Sequence, residues 1–120
     1  MIDFEEIREH CLEKPGVTEG FPFGEDVLVF KVAEKMFLLT NLATQPPSFN
    51  AKCDPERALE LREENDNIQP GYHLNTRHWN TVTLDGSIPD DLARELIDHS
   101  YDLVMSKLPK KTRLALKGSE

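Results

Sequence analysis

DVLVFKVAEKMFLLTNL, residues 26–42, decides the fold. Two short runs rich in Val, Leu and Phe flank Ala33-Glu34, so the spacing predicts an antiparallel pair joined by a tight link without glycine. The second run is apolar at nearly every position, which places it centrally in a sheet with both faces covered. Downstream, TQPP breaks the chain and SFNAK (48–52) predicts a third strand with Phe49 and Ala51 inward. NTVTL (80–84) predicts a further strand, turned by Asp85-Gly86.

Helices are expected around this sheet. Asp3 is an N-cap with Glu6 as its box-like partner, and Phe4, Ile7, Cys11 and Leu12 share one face until Pro15-Gly16. Residues 17–26 read as an irregular connection, with Phe21 and Phe23 folded back onto the core. Asp54-Pro55 opens a second helix, a capping side chain followed by proline at the first helical position. The last helix carries Ala93, Leu96, Ile97, Tyr101, Val104, Met105 and Leu108 on one stripe, with Asp91, Asp98 and Asp102 on a solvated face. If Tyr72-His73-Leu74 counts as a short strand, the order is α-β(3)-α-β(2)-α. This is the α+β class, two layers with helices packed on an antiparallel sheet.

The 120 residues suit one domain, expected over 1–113 with a flexible tail at 114–120. A composition of 38% hydrophobic and 30% charged residues is neither disorder-like nor membrane-like. No apolar run approaches the roughly 20 residues of a spanning helix. MIDFEEIREH is acidic and amphipathic, unlike a secretory signal. These features predict a cytoplasmic protein without membrane contact, most simply a monomer. Cys11 and Cys53 lack CxxC partners and read as reduced, half-buried core thiols.

Little catalytic chemistry is visible. His73 and His78 lie five apart, which fits neither a helical metal pair nor one strand face, so no metal is expected. There is no Gly-rich phosphate loop, GxSxG or HExxH, and no enzyme, catalytic residue or cofactor is predicted. Asn75 is a good cap for one helical turn, accepting the amide of Arg77 or His78, with Trp79 as the anchor of that corner. The net charge is −8, yet Lys107, Lys110, Lys111, Arg113 and Lys117 form an acid-free basic end.

KPG at 14–16, VFKV and KMF, the run into KCDPE, PGYHLNTRHWNTVTLDGSIPDD and the ending SKLPKK together resemble the MmcQ/YjbR family, over residues 3–113. The link that usually carries glycines in that family is Ala33-Glu34 here. The resemblance implies a fold like the CyaY-like and secretion-chaperone-like domains. It also implies a DNA-binding role through a "double wing" arrangement, without attached activity or cofactor. His73, Asn75, His78, Trp79 and Asn80 match the family signature, with His73, Asn75, Trp79 and Asn80 read as structural. A non-enzymatic binding protein is therefore expected, with Lys52, Arg77, His78, Trp79, Lys110, Lys111 and Arg113 as candidate DNA contacts. Fourteen basic against twenty-two acidic residues make such binding weak and salt-sensitive. The alternative is a protein-interaction or chaperone-like adaptor whose acidic surface suits a basic protein partner.

Overall fold

The structure, a computed structural model, describes residues 2–71 and 74–118. In chain order it has α1 (Phe4–Leu12), β1 (Val17–Gly20), β2 (Val27–Val32), β3 (Lys35–Asn41), β4 (Ser48–Lys52), α2 (Pro55–Glu64), β5 (Ile68–Pro70), β6 (Trp79–Thr83), α3 (Asp90–Ser106) and α4 (Lys110–Gly118). The strands form one antiparallel sheet in the order β1-β2-β3-β4-β6-β5. Helices pack on one face. Leu28, Phe30 and Val32 of β2 alternate toward them, as do Phe49 and Ala51 of β4, and meet Ile7, Cys11, Leu96, Ile97 and Tyr101. The other face is only partly open: loops shelter it, and Val29, Leu39 and Trp79 on it are buried. Val27, Val29, Leu39, Asn41, Asn50, Lys52, Thr81 and Trp79 belong to it by strand alternation and cross-strand register.

Both expected helix caps are present. Asp3 accepts the Glu6 amide at 2.9 Å, and Asp54 accepts the Arg57 amide at 3.2 Å, with Pro55 in the first turn. Three elements differ from expectation. Val17–Gly20 is a strand, not an irregular connection; it pairs with β2 at the sheet edge, and its exposed Thr18 and Glu19 leave no apolar alternation to read. The partner of β6 at the sheet edge is Ile68–Pro70 in place of Tyr72-His73-Leu74, of which Tyr72 and His73 lie outside the described residues. Beyond Pro109 the chain forms α4, which carries residues 114–118, and its Leu116 packs on the core. Residues 119–120 of the expected tail lie outside the described residues.

The KPG segment has a structural reason. Lys14 pairs with Asp98 and lies 5.4 Å from the Tyr101 ring centre, while the Tyr101 hydroxyl donates to the Pro15 carbonyl at 2.6 Å. Gly16 has φ of 76°, and a Cβ there would run into Leu116. Asp98 also meets His10 at 2.7 Å, so the aspartate expected on a solvated face instead ties α1 to α3.

The β2–β3 link puts Ala33 at φ 48° and Glu34 at φ 65°. Two positive-φ residues are what a two-residue hairpin turn requires, and neither side chain suits that region. Glu34→Gly is expected to stabilise the protein by about 0.5–1 kcal/mol, read as a higher urea midpoint with unchanged slope.

Between β3 and β4 the ladder is short. Direct pairing is confined to Leu38–Ala51 and Leu39–Asn50. Phe37 is the extra residue of a register shift against β2, where Phe30 faces Leu38 and Lys31 faces Met36. Continuing the β3–β4 register would set Lys52 opposite Phe37, and there a hydroxyl from α3 intervenes. Ser100 Oγ accepts the Lys52 N–H at 2.9 Å and donates to the Phe37 carbonyl. At the other end Thr40 Oγ1 donates to the Ser48 carbonyl at 2.6 Å.

Candidate functional site

The segment from Leu74 to Asn80 is fastened from within and from α2. Asn75 Oδ1 accepts the Arg77 amide at 3.0 Å, and its carbonyl accepts the His78 amide at 3.0 Å, giving the single capped turn. Trp79 is 7% exposed and anchors it. Arg62 of α2 supplies what sequence reasoning missed. Its Nε donates to Asn80 Oδ1 at 2.6 Å, and its guanidinium also reaches the Thr76 and Trp79 carbonyls. Asn80, 2% exposed, completes its bonding by donating to the Ala58 carbonyl at 3.4 Å.

This corner stands beside the end of β4. Lys52 is directly opposite Trp79 in the ladder, and the Cys53 amide donates to the His78 carbonyl at 2.7 Å. Lys107, at the C-terminal end of α3, closes the other side. The result is a cleft of about 190 Å³ lined by Lys52, Asn75, His78, Trp79 and Lys107. Burial lowers the Lys52 pKa, and the charges of Lys107 and Lys35 lower it further. No carboxylate pairs with Lys52 or Lys107 among the described residues. Two ammonium groups repelling each other in a chain of net charge −8 form a local positive spot that a bound anion relieves.

The structure divides the candidate contacts. Lys52, His78 and Trp79 meet in this cleft, with Trp79 as a buried wall and not a free stacking ring. Lys107, visible in the sequence only as one charge of the basic end, joins them. Arg77 is exposed on the far side of the turn, in a cleft of about 380 Å³ shared with Pro55, Glu56, Leu59, Arg62 and Thr76. Lys110 and Lys111 are exposed on α4, whereas Arg113 is half-buried with its Nε unpartnered among the described residues. His73 lies outside the described residues, as does the side chain of Lys117.

Other chemistry is poorly supplied. Burial pushes the Cys11 thiol up to about 12 and the Cys53 thiol up to about 11, far from a thiolate nucleophile at neutral pH. No group of three or more His, Cys, Asp or Glu able to hold a metal occurs among the described residues. No helix among them is long and apolar enough to cross a membrane. Phe21 and Phe23, expected on the core, are 51% and 65% exposed beside the partly open sheet face. The loop between β1 and β2 runs over that face, so the helix-side core is out of their reach.

A family model named YjbR matches residues 12–103. The chain is 33% identical over 111 residues to the uncharacterized protein YjbR of Escherichia coli K12, covering 92% of this chain and 94% of that one. It is 39% identical over 117 residues to the uncharacterized protein YyaQ of Bacillus subtilis 168, covering 86% of this chain and 98% of that one. The crystal structure of Deinococcus radiodurans protein DR2400, a DUF419 domain, superposes with a TM-score of 0.90 at 44% identity, covering 94% of this chain and 86% of that one.

Proposed function

The chain belongs to the YjbR family, and from that premise we propose that it is a non-enzymatic nucleic-acid-binding module that engages phosphates at the Lys52–Lys107 cleft. The observation that carries this reading is the lysine couple itself, without a carboxylate partner among the described residues, walled by Trp79 and accompanied by His78 and Asn75. Ammonium groups and an amide suit phosphate oxygens, and the fixed turn holds them in place without ordering a loop on binding. Lys110 and Lys111 extend the positive track along α4. The acidic remainder of the surface repels a polyanion, which confines contact to this track and keeps affinity low.

Anisotropy titration of a labelled oligonucleotide tests it. Binding is expected at about 50 mM salt with a dissociation constant of about 10⁻⁴ to 10⁻⁶ M, and it should fall steeply as salt rises. Lys52→Gln with Lys107→Gln should weaken it about tenfold or more, and each change should flatten the log–log salt dependence by about 0.7–0.9. Failure of the wild type to bind at low salt, or equal affinity in the double variant, overturns the reading.

A further inference from the structure

The partly open sheet face carries a second cleft beside the lysine one. It holds about 330 Å³ between Phe23, Val27, Leu39 and Leu74, with Asn41 and Asn50 as its polar groups. The two clefts adjoin. Leu74 lines one and Asn75 the other, and Asn50 and Lys52 are alternate residues of β4 on the same face, roughly 7 Å apart.

The amides define what the cleft accepts. Asn41 Oδ1 takes the Ala43 amide at 2.9 Å, and Asn50 Oδ1 takes the Thr81 hydroxyl at 2.5 Å. Each oxygen is thus engaged, and neither Nδ2 has a partner among the described residues. A carboxamide nitrogen only donates. The cleft therefore joins apolar walls and an exposed aromatic ring to two donors that have no partner among the described residues.

We propose that this cleft takes a thymine or uracil ring of a single-stranded nucleic acid whose neighbouring phosphates lie against Lys52 and Lys107. The inference rests on the nucleic-acid reading above and names its partner class. A pyrimidine with two ring carbonyls presents acceptors to both amides, and the thymine methyl suits Val27 and Leu39. Adenine carries an amino donor where thymine carries its O4 acceptor, so one of the two amides would face a donor. A base inside a duplex has no free face for Phe23, whereas an unstacked one does. Glu25 and Asp26 follow Phe23 in its loop and repel phosphate, so the strand leaves the cleft toward Lys52.

Anisotropy with the full chain, using oligothymidylate, oligoadenylate and a duplex of equal length, tests this. Oligothymidylate is expected to bind about tenfold more tightly than either of the others, the discrimination of one well-made base contact. Phe23→Ala changes an exposed side chain, so its urea midpoint should match wild type while the preference falls toward unity. Equal affinity for the two homopolymers overturns the base site and leaves the phosphate reading standing. Absence of binding to all three overturns both. Self-association that Phe23→Ala abolishes, with no oligonucleotide preference, assigns the face to a second copy and also overturns the base site.

Discussion

Arg62→Ala is expected to lower the unfolding free energy by about 2–4 kcal/mol, among the largest effects of any single surface-accessible side chain here. The guanidinium links α2 to the corner through Asn80 Oδ1 and the Thr76 and Trp79 carbonyls. Removing it leaves Asn80 Oδ1 buried without its donor, and a stranded acceptor costs more than a lost exposed bond. The Trp79 carbonyl suffers less, because it keeps the Gly71 amide at 2.9 Å. Urea unfolding followed by fluorescence reads the loss, since Trp79 is the sole tryptophan. Arg62→Met keeps the aliphatic stem and should recover little, which separates hydrogen bonding from packing. Asn80→Leu in the Arg62→Met background should recover part of the stability, because both polar partners are then removed together.

Ser100→Ala is expected to cost about 2–3 kcal/mol, though it deletes one oxygen atom. That oxygen serves two backbones, accepting from Lys52 and donating to Phe37, at a residue 0% exposed. Alanine leaves an N–H and a C=O facing each other across a gap, both deprived of the hydroxyl that joined them. Ser100→Thr retains the hydroxyl and should cost less if the extra methyl is accommodated, so the pair of midpoints isolates the bridge. The same substitution loosens the backbone of Lys52, and weakened oligonucleotide binding should accompany the loss of stability.

The parts of the fold that were legible are those whose signal is local. Alternation of Phe49 and Ala51, the Asp54-Pro55 cap and the stripe on α3 each follow from neighbours within a turn or a strand. β1 was not legible, because VTEG offers one apolar residue and its strand character comes from pairing with β2. α4 was masked by its charge; a single Leu116 fastens it over Gly16, a contact 100 residues apart in sequence. Ser100 had a faint signal, a hydroxyl at a position where the apolar stripe of α3 faces the sheet. Nothing in the order of residues says that a ladder opens there.

For the site, Lys52 and His78 were read as candidates, and their convergence with Lys107 depended on where α3 ends. Arg77 and His78, adjacent in sequence, diverge because one capped turn sends them to opposite sides. The general cost of exposed aromatics points Phe21 and Phe23 inward, but the sheet face away from the helices provides a partial shelter that sequence does not announce.

The hydroxyl-bridged ends of the β3–β4 pairing make the sheet two ribbons, β1-β2-β3 and β4-β6-β5, riveted at two residue pairs and held by α3. Shear between the ribbons strains few backbone hydrogen bonds, so this seam is a weak line within the sheet. Leu39 and Asn50 stand on opposite banks of it. Any molecule held across both acts as a splint, and occupancy and mechanical stiffness then rise together.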